Sequence, residues 1–456
     1  MNPWIVNRAI FPLHERLKGK PTHPILGELE TSQWLDPAAI RAIQFRKLRR
    51  HLDFAYREVP YYTRLFDDHG LQPWRIQNLA DFARIPFLTK DIVRAHFKEL
   101  QPRTPLRGVQ RLSSGGSTGA PVTVMVDRLR AAFTDATRLR AHRWFGADIG
   151  VREVVLWGSP IELTRQDRIR AVRDRLINSR LLSAFDLSEA AMKSYGEVLR
   201  RYRPVKMYGY ASALALLAGY LARQGWTPGD GWPRVIFTTA EPLYDFQRAL
   251  LKSVFGCPVS VEYGCRDGGL VANECPAGGL HVAAEGMLVE VLGAAERAGD
   301  AGEIALTNLY SFAMPMIRYR TGDVGVMEEG ACSCGRGLPR LRSVEGRQTD
   351  FLVTPAGKVL HALSAIYVLR ELPSVREFQI VQEQSERLDL RIVPNGTLDD
   401  ATRTMIVSRL RRLFEANIDV RIEIVDTIPR PSSGKYRYVM SKVAENLLGG
   451  LTGARA

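Results

Sequence analysis

The chain has few cysteines and no long apolar run, and each absence excludes a class of protein. Five cysteines among 456 residues are too few for a disulfide scaffold. No apolar run approaches the ~20 residues that a membrane-spanning helix needs. The opening sequence MNPWIVNRAIFPLHERLKGK lacks the small-residue cleavage site of a secretory signal. We therefore expect no transmembrane segment and a reducing, cytoplasmic setting.

Basic residues are in excess, with a formal net charge of +14. This excess favours an anionic partner, which could be nucleic acid, anionic lipid or a nucleotide. Two basic stretches, 41–59 and 164–180, carry apolar residues at three-to-four spacing, which predicts helices with solvated basic faces. The sequence has no zinc-finger spacing, helix-turn-helix pattern or aromatic RNA-binding signature, so we predict no nucleic-acid partner.

Strand and helix patterns alternate through the middle of the chain. This alternation predicts a parallel α/β sheet. The strand patterns are VREVVLWG, VKMYGY, PRVIFTTA and VSVEYG, and the helix patterns are SYGEVLRRY, ALALLAGYLARQ and YDFQRALLKSVFG. Between 287 and 326, MLVEVL, GEIALTNLY and MPMIRYR predict a smaller β-rich unit. Beyond 350, the strand patterns FLVT, EFQIVQE, LDLRIV and VRIEIV with two helices predict a small α+β domain.

A run of glycines and hydroxyl residues precedes the β-rich segment VTVMV. Glycines let backbone amides approach an anion, and hydroxyls add donors, so the run predicts a phosphate-binding loop. It is not a Walker loop, because no Gly-Lys-Ser/Thr follows. A flexible linker is the alternative, which the position between two apolar strands disfavours. The run consists of Ser113, Ser114, Gly115, Gly116, Ser117, Thr118 and Gly119.

The run resembles the phosphate loop of the AMP-forming adenylating superfamily, which includes the acyl-CoA synthetases. Four further segments follow in the order of that superfamily. They are Thr239-Ala240-Glu241-Pro242, Glu262-Tyr263-Gly264-Cys265-Arg266-Asp267, Tyr319-Arg320-Thr321-Gly322-Asp323 and Pro429-Arg430-Pro431-Ser432-Ser433-Gly434-Lys435. Within the superfamily, the chain most resembles phenylacetate–CoA ligase-like members found with capsule and exopolysaccharide genes. The segments VPYYTRLFDDHG, IPFLTKDIV, PMIRYRTGDVG and CSCGRGLPRLRSVEGRQTDFL carry that likeness.

The resemblance implies that ATP binds across these segments. Lys435 would be the adenylation lysine, Asp323 would hold the ribose hydroxyls, and Arg347 would reach the same ribose. Tyr263 would stack on adenine. Taken singly, each residue could instead be a turn, surface or core residue, but the shared order of five motifs favours the site. The other residues that the resemblance assigns to ATP or AMP are residues 113–119, Ala240, Glu241, Pro242, Glu262 and Gly264.

The resemblance also implies a magnesium ion and an acyl pocket. Asp267 occupies the position where the family usually has a metal-placing glutamate. Its side chain is one methylene shorter, and Mg²⁺ demands octahedral geometry at ~2.1 Å, so Glu262 or Glu241 is the alternative. An aryl or short apolar acid is expected in a pocket near Tyr208, Gly209, Ala211, Ala240 and Tyr263.

The expected fold class is α/β, with a large amino-terminal α/β domain of parallel sheets, a β-rich subdomain and a small mobile α+β carboxy-terminal domain. Residues 1–110 would form a helical segment and the start of the large domain. Residues 111–347 would form the adenylate-forming core, and 348–456 the small domain that carries the lysine. In the family the small domain rotates between half-reactions, and Asp350 matches the hinge position.

Three cysteines and a histidine form a second candidate site. Cys275-x5-His281 and Cys332-x-Cys334 offer three thiolates and an imidazole, which suits a closed tetrahedral Zn²⁺ site with a structural role. Part of the phenylacetate–CoA ligase-like branch has a similar set. The alternatives are unliganded side chains, or Cys265 in place of His281. Cys257 is expected to be a small buried hydrophobe.

Together these features predict ATP-dependent activation of a carboxylic acid. An acyl-adenylate would form with release of pyrophosphate, and the acyl group would pass to CoA. Mg-ATP and CoA are the expected co-substrates, zinc is a structural ion, and a homodimer is left open. One alternative is an amine or hydroxyl acceptor. The other is a non-catalytic assembly protein of a polysaccharide cluster, with its basic helices against anionic lipid.

Overall fold

The computed structural model describes residues 1–113, 122–157, 173–184, 187–227, 232–292, 301–345, 351–370, 372–428 and 438–443. No helix among these residues is both long enough and apolar enough to cross a bilayer. The helices are Pro3–Ile5, the π-helical turn Val6–Ile10, Phe11–Leu17, Thr22–Ser32, Pro37–Glu58, Pro60–Asp68, the 3-10 turn Pro73–Arg75, Leu79–Phe82, Lys90–Ala95, Arg128–Arg143, Glu189–Tyr202, Ala211–Arg223, Asp245–Phe255, Ala362–Arg370 and Asp400–Phe414.

The strands are numbered here in chain order. They are β1 (Gln110–Ser113), β2 (Thr123–Val126), β3 (Glu153–Trp157), β4 (Ser179–Ser183), β5 (Lys206–Tyr210), β6 (Val235–Thr239), β7 (Val259–Cys265), β8 (Gly269–Glu274), β9 (Leu280–Val282), β10 (Met287–Leu292), β11 (Gly302–Asn308), β12 (Tyr319–Glu328), β13 (Arg340–Glu345), β14 (Phe351–Val353), β15 (Val359–His361), β16 (Val375–Gln384), β17 (Arg387–Pro394), β18 (Asp419–Ile424) and β19 (Val439–Ser441).

An eleven-stranded sheet forms the centre of the described fold, in the order β10-β11-β12-β13-β9-β8-β7-β6-β5-β3-β4. Strands β3 to β7 pair in parallel, as the alternating pattern predicts. From β7 onward the neighbours are antiparallel. Glu262 of β7 faces Asn273 of β8, and the register between these two strands shifts once, between Tyr263 and Gly264. The β-rich unit is therefore the second half of the same sheet.

The parallel half of the sheet is covered on both faces. All five residues of β6 are buried, as expected for a parallel strand between two helical layers. The helix Ala211–Arg223 is buried along most of its length in the same core cluster. The helix Arg128–Arg143 packs on the other face of the sheet, where its His142 stacks on Phe237 of β6 at a ring distance of 3.9 Å. The carboxyl ends of β5, β6 and β7 thus meet at one edge, where ligands bind in open α/β sheets.

Two details of the predicted secondary structure are wrong. The basic stretch 164–180 does not end as a helix, because Asn178 takes a left-handed φ of 59° and β4 begins at Ser179. MPMIRYR is not a strand before Tyr319, although Met314, Met316 and Ile317 are buried. Its apolar pattern therefore reflects burial of a turn, and not strand pairing.

The carboxy-terminal strands form a separate four-stranded sheet in the order β18-β17-β16-β19. The helices Ala362–Arg370 and Asp400–Phe414 contribute to a core with these strands. Three of the strand patterns predicted beyond residue 350 form β16, β17 and β18, and the two predicted helices are present. The fourth pattern, FLVT, forms β14 in a two-stranded sheet with β15, and the fourth strand of the larger sheet is β19, which the sequence patterns do not predict. The exact domain boundaries stay a prediction.

Candidate active site

A buried glutamate organises the edge where β5, β6 and β7 end. Both oxygens of Glu262 accept from Arg138, with Nε to Oε2 and Nη2 to Oε1 each at 2.9 Å. Oε1 also accepts from Tyr208 Oη at 2.8 Å and from Thr239 Oγ1 at 3.4 Å. This one carboxylate therefore ties three adjacent strands to the helix that carries Arg138.

The protonation of this cluster follows from its charges. Burial alone would raise the pKa of Glu262, but the charge and hydrogen bonds of Arg138, with those from Tyr208 and Thr239, lower it overall. Burial raises the pKa of Tyr208, so its hydroxyl stays a donor at neutral pH. The cluster is thus an ionised carboxylate held by an arginine and neutral hydroxyls.

The second and third motifs after the loop meet at Tyr263. Its hydroxyl donates to Asp323 Oδ2 at 3.1 Å, linking β7 to β12 across the sheet. Burial and then the charge of Asp323 raise the pKa of Tyr263, so the phenol remains protonated. The amide of Asp323 donates to Thr321 Oγ1 at 3.0 Å, which holds the aspartate backbone. The residues expected at adenine and ribose are therefore in direct contact.

Asp267 is buried at the turn that follows β7. Its carboxylate accepts from the hydroxyl of Tyr319. Arg130 Nη2 donates to the carbonyl oxygens of Arg266 and Asp267 at 2.9 and 2.8 Å, which fixes the turn after β7. Cys265 faces the same turn, because its Sγ accepts from the amide of Gly268 at 3.2 Å.

The start of the phosphate-loop candidate reaches the same turn. Ser113 ends β1 and pairs with Thr123 of β2. Its carbonyl oxygen accepts from Arg266 Nη1 at 3.2 Å. The hairpin that carries the loop is therefore anchored beside Asp267. Residues Ser114, Gly115, Gly116, Ser117, Thr118 and Gly119 lie outside the described residues, as do Arg347, Asp350 and Lys435.

The first motif after the loop follows β6 directly. Ala240 takes a left-handed φ of 67°, which turns the chain sharply as it leaves the strand. Glu241 Oε2 accepts from the amide of Ser212 at 3.1 Å and from its hydroxyl, so it caps the helix that begins at Ala211. This contact joins the ends of β5 and β6, next to Pro242.

The residues expected at the acyl pocket lie on or directly after β5, β6 and β7. Tyr208 is the middle residue of β5, and Ala240 directly follows β6. Trp157 flanks Tyr208 at a ring distance of 5.9 Å. Ala211 is fully buried at the start of its helix. A Cβ on Gly209 would stand 2.5 Å from the carbonyl oxygen of Leu156. Gly209 is therefore required by the close approach of β3, and Gly264 has a similar contact with β8.

The predicted zinc ligands lie together. The ligand atoms of Cys275, His281, Cys332 and Cys334 all fall within 4.8 Å of one another. Cys275 Sγ and Cys332 Sγ are 3.8 Å apart, and His281 Nε2 and Cys334 Sγ are 3.2 Å apart. Cys265 is not in this group. Cys257 is buried in the core, as expected.

The cluster's surroundings suit a closed site. His281 Nδ1 lies 3.1 Å from the carbonyl oxygen of Leu338, so it is the protonated nitrogen and Nε2 presents a lone pair towards the thiols. The guanidinium of Arg336 lies between the rings of Trp34 and Trp144, at 4.7 and 4.5 Å from their centroids. Arg336 thereby connects the turn that carries Cys332 and Cys334, called here the cysteine turn, to the amino-terminal helices.

Sequence reasoning missed the arginines that hold the site. Arg130 and Arg138 come from the helix Arg128–Arg143, which carries buried polar residues on its inner side. The available signal was an arginine-rich helix with many alanines immediately after β2. Its polarity is typical of a surface helix, and only the three-dimensional arrangement places these arginines against Glu262 and the Asp267 turn.

Known proteins provide an independent comparison. Residues 352–442 match the family model described as the CapK C-terminal domain. The chain is 25% identical over 456 residues to a phenylacetate-coenzyme A ligase of Thermus thermophilus, covering 91% of this chain and 98% of that protein. It is 22% identical over 412 residues to Protein CapK of Staphylococcus aureus, covering 88% and 89%. The chain resembles phenylacetate–CoA ligases and CapK along most of its length.

Solved structures agree on the fold. A 2-hydroxyisobutyryl-CoA ligase in complex with 2-HIB-AMP and CoA, in the thioesterification state, gives a TM-score of 0.63 at 20% identity, covering 93% of this chain and 94% of that one. A postadenylation-state structure of a ligase of that name gives 0.58 at 19% identity, covering 93% and 94%. The resemblance to the AMP-forming adenylating superfamily, in its phenylacetate–CoA ligase-like branch, is confirmed.

Proposed function

We propose that the protein is an AMP-forming carboxylate–CoA ligase. It would use Mg-ATP to convert a carboxylic acid to an acyl-adenylate with release of pyrophosphate, and then transfer the acyl group to CoA. The observation that carries the proposal is the contact between Tyr263 and Asp323, two motif residues 60 positions apart in the chain. The named relatives, which include phenylacetate-coenzyme A ligases, support the same reaction.

The described residues suit the nucleotide half of this reaction. Asp323 offers a carboxylate to the two ribose hydroxyls, and Tyr263 keeps it oriented while presenting an aromatic face to adenine. The loop 113–119 would take the phosphates and Lys435 would lie against the carboxylate and the α-phosphate. Negative charge builds on the phosphate oxygens as pyrophosphate leaves, so fixed donors and a lysine stabilise the transition state.

The carboxylates differ in how well they fit a magnesium ion. Both oxygens of Glu262 already accept from Arg138 and Tyr208, which disfavours Glu262 as a ligand. Asp267 provides a carboxylate, a ligand type that Mg²⁺ prefers, at the turn beside Ser113. We propose it as the residue that places the ion. When bound, Mg²⁺ would neutralise charge on the phosphates of ATP.

The aromatic side chains of β3 and β5 favour an aryl or short apolar acid as the substrate. Trp157 stacks on Tyr210 with ring centroids 4.2 Å apart, and Tyr208 lies beside them. Flat aromatic side chains favour a flat or small apolar group over a charged one. The relatives include proteins named for phenylacetate, which is an aryl acid.

We propose a structural zinc ion at Cys275, His281, Cys332 and Cys334. Tetrahedral coordination with Zn–S bonds of about 2.3 Å separates thiolates by about 3.8 Å, and Cys275 and Cys332 have that separation. Four protein ligands leave no position for substrate. The ion would fix the cysteine turn, and through Arg336 it would support the amino-terminal helices.

The match of residues 352–442 to the CapK domain model keeps a second candidate open. In that case the adenylate would pass to an amine or hydroxyl acceptor, or the protein would act without catalysis as an assembly protein of a polysaccharide cluster. The ordered contacts around Tyr263, Glu262 and Asp267 support catalysis, because an assembly role does not need a nucleotide site.

The test is pyrophosphate release from Mg-ATP across a panel of carboxylic acids, with and without CoA. We expect release that depends on the acid, with aryl and short apolar acids as the best substrates, and we expect CoA to be consumed. Release without CoA consumption would favour another acceptor. No release and no ATP binding would leave only the assembly role.

A further inference from the structure

The first helical stretch leaves an unusual amount of apolar surface in water. It runs from Pro3 to Leu17 and includes the π-helical turn Val6–Ile10. Trp4 is 69% exposed, Leu13 59% and Leu17 79%, and Ile5 is also exposed. A contiguous apolar patch of this kind marks a surface that another molecule covers.

These side chains form a row along one side of the stretch. Ile5, Ala9, Leu13 and Leu17 are spaced four apart, and residues four apart lie on one face of a helix. In the π-helical turn, the backbone hydrogen bonds join residues five apart and widen the helix. Residues four apart therefore stay on the same side of the stretch. Trp4 lies beside Ile5. We call these five exposed residues the apolar stripe.

The opposite side of the stretch is fixed to the body of the protein. Val6 is fully buried, and it packs with Ile10 and Phe11 in a cluster that includes Phe133. Asn178 donates to the carbonyl oxygens of Met1 and Gly150 at 2.8 and 2.7 Å. The apolar stripe is therefore held outward by packing on the other face.

Unpaired cations border the apolar stripe. Arg8, Arg16 and Lys18 are exposed, and within the described part of the chain neither arginine forms an ion pair. Burial, then the charges of Arg173 and Lys20, lowers the pKa of Lys18, against the opposite effects of Glu15 and Asp135. This corner of the protein is therefore positively charged.

A cleft of about 1060 Å³ lies beside the stripe, between the first helical stretch and the helix Thr22–Ser32. Arg8, Arg16 and Lys20 line it. Its acids already have protein partners: Glu30 and Asp148 pair with Arg143 at 2.7 and 2.6 Å, and Glu15 pairs with Lys20 at 3.4 Å. An anionic group that enters the cleft would meet arginines whose charge is not neutralised.

We propose that this face lies on an anionic membrane surface, with the apolar stripe at the boundary of headgroups and acyl chains and Arg8 and Arg16 on lipid phosphates. A convex apolar row flanked by cations needs no shaped partner, which favours a lipid surface over a protein groove. A second copy of the chain would bring the same unpaired cations together and repel. The inference is independent of the proposed ligase activity.

Co-sedimentation with phosphatidylcholine vesicles that contain about 30% phosphatidylglycerol tests the proposal against pure phosphatidylcholine vesicles. We expect binding to the anionic vesicles that weakens with salt. The variant Leu13→Glu/Leu17→Glu should bind at least about tenfold more weakly, because it loses two apolar side chains and gains two repelled charges. Arg8→Gln/Arg16→Gln should also bind several-fold more weakly.

The matched control is Leu79→Glu/Ile424→Glu, which places the same two charges on exposed apolar positions of other elements. It should bind vesicles as the unmodified protein does. Vesicles should shift tryptophan emission to the blue, and Trp4→Phe should remove most of that shift. Circular dichroism and melting temperature show that each variant is folded.

Two results would overturn the proposal. One is no difference between anionic and neutral vesicles for the unmodified protein. The other is equal binding by Leu13→Glu/Leu17→Glu and by its control. If Leu13→Glu/Leu17→Glu instead changes the sedimentation coefficient of the protein in the absence of lipid, the stripe is a protein–protein surface and the membrane assignment is wrong.

Discussion

Removing the carboxylate of Glu262 should destabilise the protein strongly. Its oxygens accept three hydrogen bonds of 2.8 to 2.9 Å, two of them from Arg138. Breaking a buried ion pair costs about 3–5 kcal/mol, because the remaining charge has no partner. The Arg138 side chain is 32% exposed, so solvent partly screens it and we expect about 3 kcal/mol.

Thermal unfolding of Glu262→Gln measures this effect. The unfolding entropy is about 2.1 cal/mol/K per residue, so a loss of about 3 kcal/mol lowers the melting temperature of a domain of about 350 residues by roughly 4 °C. Replacing both partners, as Arg138→Leu/Glu262→Leu, should be less destabilising than Glu262→Leu alone. The control Asp53→Asn removes the exposed ion pair with Arg57 and should cost less than about 1 kcal/mol.

The stabilisation that the Glu262 carboxylate provides should depend on pH in one direction. The folded-state pKa of Glu262 is lowered below its usual value, so its stabilising contribution is complete above the pKa of an unfolded glutamate, about 4.3. It is lost as the pH falls through the folded-state pKa. The difference in melting temperature between the unmodified protein and Glu262→Gln should therefore be full at neutral pH and shrink below about pH 4. A difference of under about 2 °C at neutral pH would refute the buried ion pair.

Three further predictions follow from single contacts. Gly209→Ala should lower the melting temperature by several degrees, because the added Cβ would lie 2.5 Å from a carbonyl oxygen. In the control Gly27→Ala, the added Cβ has no atom within 4 Å, so this change should be neutral or stabilising. Equal melting temperatures for the two variants would contradict this prediction. Tyr263→Phe keeps the aromatic face but loses the bond to Asp323, so the KM for ATP should rise about tenfold with kcat less affected, and an unchanged KM would count against the ribose assignment. Cys275→Ser should lose bound zinc, measured by elemental analysis, while Cys257→Ser should retain it; a metal-free unmodified protein would end the zinc proposal.

The alternating pattern was enough to predict the parallel half of the sheet. Strands such as β5 and β6 are short apolar runs between amphipathic helices, and local sequence decides both. The continuity of β7 with β8 could not be predicted, because pairing depends on which edge is vacant when the two halves meet. The apolar spacing of MPMIRYR reports burial and not a strand. Asp127 accepts the amides of Phe312 and Ala313 at 2.8 Å just before this segment, and Arg318 within it takes a left-handed φ of 50°.

The residues of the candidate site that belong to sequence motifs could be predicted, whereas those outside the motifs could not. The order of motifs placed Tyr263 and Asp323 in one site, and the structure brings them into contact. The cysteine and histidine spacing likewise led to a cluster that the fold assembles. Arg138 was not predictable, because its partner Glu262 is 124 positions away and nothing in the helix sequence marks that pairing.

The fate of oxygen tests the central claim most directly. The best acid from the panel, labelled with oxygen-18 in its carboxylate, is incubated with Mg-ATP and CoA, and the nucleotide product is analysed by mass spectrometry. Attack of the carboxylate on the α-phosphate predicts AMP that carries one labelled oxygen, together with an acyl-CoA, and neither product with Lys435→Ala. Unlabelled AMP, or formation of ADP instead, would contradict activation through an acyl-adenylate.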